Sequence, residues 1–151
     1  MDEKFGGKKN NMNNIWLKSQ GNLIVKDGSI RLMVSHDFIK YYKSLIDKEV
    51  KMFTHTPAHG AHITVYREDK SGKLDPEKAA FIKKFQKNRP IVFEYNIEII
   101  MGGLTKDFRN WYMKVRSIQL DEIAKYLGIN QDFHLTISNT KGGIRPYIFY
   151  K

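Results

Sequence analysis

The sequence predicts an α+β fold with two lobes of mainly antiparallel sheet and with helices on the outside. Several segments alternate apolar and polar residues at the period of a half-buried strand, and three others carry apolar residues at helical spacing. A weak repeat is also present, because Arg31–Thr64 and Lys114–Thr136 each run from a strand through a Ser-capped helix to a strand beginning His-x-Thr. The repeat predicts two similar lobes whose polar strand faces meet across a central cleft.

Length and composition indicate a single domain. A chain of 151 residues with 41% hydrophobic and 13% aromatic residues can build one core. A formal net charge of +10 favours polyanionic partners such as nucleic acid, nucleotides or acidic lipid, without choosing among them. The absence of cysteine excludes disulfides and thiolate chemistry. Neither a membrane-length apolar run nor a signal core is present, so we expect a cytoplasmic protein that does not associate with membranes.

The first part of the chain predicts a flexible segment followed by strands and a helix. Residues 1–14 are rich in Gly, Asn and Lys, and we expect a flexible lead-in to a single domain over 15–151. Ser35 is expected to cap a helix, and Asp27-Gly28 to form a hairpin turn. The elements predicted in this part are strands at 15–17, 22–25, 30–34 and 61–66 and a helix at 36–51.

The second part of the chain predicts two further helices among strands. One helix begins after Asp75-Pro76, where Asp suits the cap and Pro suits the first turn, and the other is bounded by Ser117 and Gly128. Gly102-Gly103 is expected to form a hairpin turn. The strands predicted in this part are 91–101, 109–116, 133–138 and, at an edge, 145–150.

Two of the predicted strands carry the same pair of polar residues. His62 and Thr64 share one face of the first strand, and His134 and Thr136 share one face of the second. Opening a ribonucleotide phosphodiester needs one group that takes a proton from the attacking oxygen and another that gives one to the leaving oxygen. Histidine serves either role near neutral pH, and threonine hydroxyls can hold phosphate oxygens. The two pairs therefore predict one bipartite catalytic site, with the choice between base and acid left open.

The paired His-x-Thr strands, in a small basic chain, resemble the 2H phosphoesterase superfamily. Its members include cyclic phosphodiesterases of RNA processing, viral enzymes that destroy 2′,5′-oligoadenylate, and phage anti-CBASS nucleases that destroy cyclic nucleotide messengers. The resemblance implies a two-lobed 2H phosphoesterase-like fold and a metal-independent phosphodiesterase without a cofactor, in which His62, Thr64, His134 and Thr136 are the motif residues.

The resemblance and the small size of the chain also favour a small substrate. We expect a cyclic di- or trinucleotide messenger or another short oligoribonucleotide, and a role in viral counter-defence within a host cytoplasm. RNA 2′,3′-cyclic phosphodiesterase and 2′,5′-oligoadenylate phosphodiesterase activities are the alternatives.

Other residues are candidates for substrate binding because of their chemistry and their predicted position. Aromatic side chains can stack on bases, whereas cationic ones can approach phosphate. The candidates are Trp16, Arg31, Tyr66, Tyr112 and Lys141. Lys114 and Arg116 are expected on the same polar strand face as Tyr112. Trp111 has apolar neighbours on its own face and is expected in the core.

Three alternatives compete with this interpretation. His55, His59 and His62 could bind zinc, but no acidic or thiolate side chain near them completes a ligand set, so no metal site is predicted. A non-catalytic RNA or nucleotide-binding module would use the basic face and the aromatic residues, and an interaction protein would need its charge for solubility only. The paired histidines favour an enzyme, because binding without turnover does not require two proton carriers.

Overall fold

The fold is built on an antiparallel sheet that closes on itself. The computed structural model describes residues 3–4, 15–26, 28–57, 60–68, 73–87, 89–105 and 108–140. Within them the strands are β1 (Glu3–Lys4), β2 (Trp16–Lys26), β3 (Ser29–Met33), β4 (His62–Arg67), β5 (Ile91–Asn96), β6 (Ile100–Thr105), β7 (Phe108–Arg116) and β8 (Phe133–Asn139). The helices are α1 (His36–Val50), α2 (Pro76–Gln86) and α3 (Ile118–Leu127). The α+β class predicted from the sequence is confirmed.

Six of the strands form a closed ring. The order around the ring is β2, β3, β4, β8, β7 and β5, and β5 pairs in turn with β2. Each neighbouring pair is antiparallel, and β6 and β1 extend from β7 as a side branch. No helix in the part of the chain that the structure describes is long and apolar enough to cross a membrane.

One face of this sheet and all three helices share a single apolar core. Ile39 of α1, Ile82 of α2 and Leu120 of α3 pack into the same cluster as the buried strand residues Ile63 and Leu135. The three helices therefore cover the apolar face of the sheet, and the polar side chains of the strands lie on its other face.

Two junctions in the ring are much shorter than the others. Among the described residues, β4 and β8 are joined by the pair Ile63–Leu135, and β5 and β7 by Glu94–Arg116 and Tyr95–Val115. The other neighbouring strands of the ring are joined by five or six described pairs each. The β4–β8 and β5–β7 junctions thus divide the eight strands into a β2–β3–β4–β5 section and a β1–β6–β7–β8 section.

Side chains bond the strand edges where these junctions open. Beyond the β4–β8 junction, Gln131 Nε2 donates to the carbonyl oxygens of Thr64 and Val65, at 3.3 Å in both cases. Beyond the β5–β7 junction, the backbone N–H of Val92 donates to Gln119 Oε1 at 2.6 Å, and Ser117 Oγ donates to the Val92 carbonyl at 2.7 Å. These hydrogen bonds therefore satisfy backbone groups of Thr64, Val65 and Val92 without continuing the sheet.

Local sequence signals predicted several elements correctly. Ser117 caps α3 by accepting the Leu120 N–H at 3.2 Å, and Gly128 ends the helix with a φ of 71°. The hairpin between β2 and β3 closes at the pair Lys26–Ser29, as Asp27-Gly28 predicted. The weak repeat corresponds to β3–α1–β4 and β7–α3–β8, and in each unit the two strands are antiparallel neighbours.

Other predictions differ from the structure. The two short strands at 15–17 and 22–25 are one strand, β2, because its first half pairs with β5 and its second half with β3. The predicted strand 91–101 is two strands, since the Asn96 side chain accepts the Glu98 N–H at 2.9 Å and turns the chain.

Gly102 and Gly103 do not form the predicted turn, because both lie within β6 and pair with β7. Ser35 and Asp75 stand at helix N-termini but make no side-chain capping hydrogen bond. Within the expected flexible lead-in, Glu3 and Lys4 pair with β6, while the rest of 1–14 lies outside the described residues, as does the predicted strand 145–150.

Candidate active site

The two His-x-Thr segments lie on neighbouring strands, β4 and β8. Ile63 and Leu135 pair at the junction, and both side chains are fully buried in the core. Because side chains alternate along a strand, the residues on either side of this pair face the opposite way. Extending the antiparallel register by one position places His62 opposite Thr136 and Thr64 opposite His134. All four side chains therefore lie together on the polar face.

The two histidines were expected to approach each other across a cleft between lobes. They lie on adjacent strands that belong to the two different sections of the ring, next to the short β4–β8 junction. Directly opposite residues in such a pair have Cβ atoms about 4.5–5.5 Å apart, and diagonal residues are about 7–8 Å apart. His62 and His134 occupy one diagonal, and Thr64 and Thr136 the other. At such spacings, two imidazoles and two hydroxyls can reach one tetrahedral group between them.

Neighbouring strands extend these pairs into two rows on the same face. Arg31 of β3 pairs with Thr64, and Lys114 of β7 pairs with His134, so one row has a cation at each end. In the other row, Met33 pairs with His62 and Tyr112 pairs with Thr136. The cationic row spans four strands, or roughly 14 Å at the usual strand spacing. It gives the site a positive potential on both sides of the histidines.

The ring of His62 is held by a backbone carbonyl. Its Nδ1 lies 2.8 Å from the oxygen of Gly60, and a carbonyl oxygen can only accept, so Nδ1 carries the proton. In the neutral imidazole this puts the lone pair on Nε2. Gly60 has a φ of 82°, a left-handed conformation that glycine adopts readily, and its N–H donates to the Pro57 carbonyl at 3.0 Å. A local turn therefore fixes both the orientation and the tautomer of His62.

His134 has a different environment. Its side chain is exposed, and its ring makes a tilted edge contact with the ring of Tyr112, with centroids 5.2 Å apart. Lys114 stands directly opposite on β7 and is also exposed. The two histidines of the site are thus not equivalent, since the ring of His62 bonds to a backbone carbonyl, whereas His134 is exposed and contacts an aromatic ring.

Arg31 is the most unusual polar residue of this face. It is only 5% exposed, and its Nε is buried without a hydrogen-bond partner. The described part of the chain also provides no ion pair for its guanidinium group. A buried cation without a partner is costly, and the group that would satisfy it is an anion bound next to Thr64.

The other candidates for substrate binding lie at different distances from the motif residues. Tyr112 is in the site, against His134. The hydroxyl of Tyr66 accepts from Lys78 Nζ at 3.0 Å and donates to Glu68 at 3.3 Å, and Lys78 lies over its ring. Tyr66 is therefore engaged by α2. Lys141 lies outside the described residues.

Trp16 lies farther along the sheet. The Arg116 guanidinium stacks on its ring at 4.0 Å, so Trp16 belongs to the β5–β7 end of the polar face. Trp111 is buried in the core, as expected.

The zinc hypothesis concerned His55, His59 and His62. His55 pairs through its backbone with Asn139, in a bridge to the end of β8. The described residues contain no group of three or more His, Cys, Asp or Glu side chains that could hold a metal ion. His59 lies outside the described residues.

Two features of the polar face were not predicted from the sequence, namely the role of the Gly60 carbonyl and the contact between Glu94 and Arg116. The Gly60 carbonyl acts through the backbone, and the only signal for it is a glycine two positions before the motif histidine. Glu94 alternates with the buried residues Phe93 and Tyr95, which placed it on a polar face but did not reveal its contact with Arg116.

The chain was compared with protein-family models, with curated proteins and with solved structures. None of the three comparisons found a match.

Proposed function

We propose that the chain is a metal-independent phosphodiesterase of the 2H type that cleaves cyclic oligonucleotide messengers. The observation that carries the proposal is the register at the β4–β8 junction, which brings His62, Thr64, His134 and Thr136 together on one face. The two sections of the ring, joined by two short junctions, are consistent with the two lobes of that fold. A role in viral counter-defence rests on the resemblance alone.

The non-equivalence of the histidines supports a division of roles. His62, with its lone pair on Nε2, is suited to take the proton from the attacking hydroxyl, which is a neighbouring ribose hydroxyl or water. The oxygen then bonds to phosphorus as the bond from phosphorus to the leaving oxygen breaks. His134, in its protonated form, is suited to give a proton to that leaving oxygen. The proton gained by His62 and the proton lost by His134 balance when solvent exchanges them.

The remaining polar groups match the charge that develops on the phosphate. The hydroxyls of Thr64 and Thr136 occupy the other diagonal and can donate to the two non-bridging oxygens. Arg31 and Lys114 lie one strand further out on either side. A substrate with phosphates close together would engage both cations, which favours a compact cyclic oligonucleotide over an isolated nucleoside 2′,3′-cyclic phosphate.

The test is a substrate panel in the presence of a metal chelator, with products resolved by mass. The panel contains 3′,3′-cyclic dinucleotides, cyclic trinucleotides, 2′,5′-oligoadenylate and nucleoside 2′,3′-cyclic phosphates. We expect cleavage of the cyclic oligonucleotides. His62→Ala and His134→Ala should each lose most of the rate, and the double variant should lose little more, because residues that act as a unit are non-additive. Thr64→Ala and Thr136→Ala should be milder.

The other outcomes each select a different function. Cleavage of 2′,3′-cyclic phosphates alone would indicate RNA processing, and cleavage of 2′,5′-oligoadenylate alone would indicate the second enzymatic alternative. Activity that a chelator abolishes and zinc restores would contradict the metal-independent mechanism. Binding without turnover, unchanged when both histidines are replaced, would show a binding module instead.

A further inference from the structure

A cavity of about 590 Å³ lies beside the β5–β7 junction, away from the four motif residues. It forms because β7 ends at Arg116 and the chain turns into α3. At this point the backbone of Val92, on the edge of β5, bonds to the side chains of Ser117 and Gln119 instead of to another strand. Its volume lies within the range of about 300–1,000 Å³ that is usual for small-molecule sites. The side chains that shape it include Lys18, Val92, Glu94, Arg116, Ile118 and Gln119.

The cavity is on the same face of the sheet as the catalytic groups. Lys18, Glu94 and Arg116 stand opposite one another on three neighbouring strands. Arg116 follows Lys114 by two positions on β7, so both side chains point the same way, and Lys114 is the partner of His134. Arg116 is therefore diagonal to His134, at about 7–8 Å between strand positions. A sugar bridges a separation of this order between a phosphate and its base.

The chemistry of the cavity is that of a site for a flat, polar ring. Val92 and Ile118 provide exposed apolar surface, and the Arg116 guanidinium lies over the ring of Trp16, 4.0 Å from its centroid. Glu94 Oε1 accepts from Arg116 Nε at 2.8 Å. The described residues supply no donor to the second oxygen of this carboxylate, and Glu94 is one of the residues that line the cavity. A carboxylate oxygen pairs with a base that offers an amino group.

We propose that this cavity binds the base of the nucleotide next to the scissile phosphate, and that Glu94 selects bases with an exocyclic amino group. The assignment of the base to that nucleotide rests on the proposed function, because it requires the phosphate to lie between His62 and His134. The binding itself does not require turnover.

The test is calorimetric binding of adenosine 5′-monophosphate (AMP), uridine 5′-monophosphate (UMP) and ribose 5-phosphate, which has no base. For the wild-type chain we expect AMP to bind more tightly than UMP, and UMP more tightly than ribose 5-phosphate. Val92→Phe places a phenyl ring in the space of the base and should weaken AMP binding about tenfold to a hundredfold, which is the usual effect of losing one base contact. Binding of ribose 5-phosphate should not change.

A matched variant controls for the new phenyl group. Val25 is a strand valine that is 40% exposed, against 43% for Val92, and it lies outside this cavity, so Val25→Phe should bind all three compounds as the wild type does. Glu94→Gln keeps an acceptor for Arg116 and should reduce the preference of AMP over UMP even if Val92→Phe fails to fold.

The outcomes separate this proposal from the proposed function. If AMP and ribose 5-phosphate bind equally or not at all, or if Val92→Phe and Glu94→Gln leave AMP binding unchanged, the base site is refuted while phosphodiesterase activity can still be present. If the binding pattern is as expected and no diester is cleaved, the base site stands and the enzymatic proposal fails.

Discussion

Replacing Arg31 with Met should make the free protein more stable and should lower the proposed phosphodiesterase activity. A buried donor without a partner costs about 1–3 kcal/mol, and Nε of Arg31 is such a donor. Met is unbranched and can fill the space of the Arg stem without a polar atom. We therefore expect the free energy of unfolding, measured with urea, to rise by about 1 kcal/mol or more in Arg31→Met.

The same substitution should weaken catalysis if the guanidinium group receives a phosphate. Hydrogen bonds to charged groups contribute about 1.5–3 kcal/mol, so kcat/KM on the diester that is cleaved fastest should fall about 10- to 150-fold. Ser138 is the matched control. Its Oγ is also buried without a partner, but Ser138 pairs with Trp111, whose side chain lies in the core. Ser138→Ala should leave kcat/KM unchanged. Destabilisation by Arg31→Met with unchanged kcat/KM would show that Arg31 is structural and would refute this reasoning.

Two further predictions concern stability. A Cβ at Gly21 would overlap the Met33 carbonyl oxygen, so Gly21→Ala should lower the free energy of unfolding by about 3 kcal/mol. Gly128 has open space around it and only a positive φ, so Gly128→Ala should lower the free energy of unfolding by about 1 kcal/mol. Equal losses in urea unfolding would contradict the close approach of β2 and β3. Burial, and secondarily Lys43, lowers the pKa of His55 in the folded protein below its usual 6.5. As pH falls, the histidine is therefore protonated in the unfolded chain before it is protonated in the folded one. The contribution of His55 to stability is thus present above pH 6.5 and is lost as pH falls towards the lower pKa of the folded state. Unfolding curves between pH 7.5 and 5 should therefore show a smaller loss for His55→Gln than for the wild type, and identical losses would exclude His55 as the cause.

The sequence predicted the faces of the strands better than their partners. Alternation placed His62 with Thr64 and His134 with Thr136 correctly, because the period of two is a local property of the chain. That β4 pairs with β8 depends on contacts between distant segments, which no local pattern encodes. The break after Asn96 was missed for a similar reason, since the alternation continues in sequence through Ile97 and Ile99 while one side-chain hydrogen bond turns the backbone.

The cavity at the β5–β7 junction could not be predicted from the sequence. Its walls come from β2, β5, β7 and the start of α3, and its shape depends on where β7 stops pairing with β5. Ser117 was identified as a helix cap, which is correct, but its hydroxyl also donates to Val92 and so holds the opening in place. A single residue can thus carry a local signal and an unrelated long-range contact.

The geometry of the candidate site depends on core packing more than on the hydrogen bonds of the sheet. At the β4–β8 junction the described ladder consists of the pair Ile63–Leu135, so few backbone hydrogen bonds hold the register there. Both side chains are fully buried, and a slip of one residue would move them onto the polar face and turn the histidines into the core. Burying each side chain is worth about 1.5–3 kcal/mol, and a slip would also desolvate polar groups. The burial of two aliphatic side chains, Ile63 and Leu135, therefore keeps the two His-x-Thr pairs on the same face of the sheet.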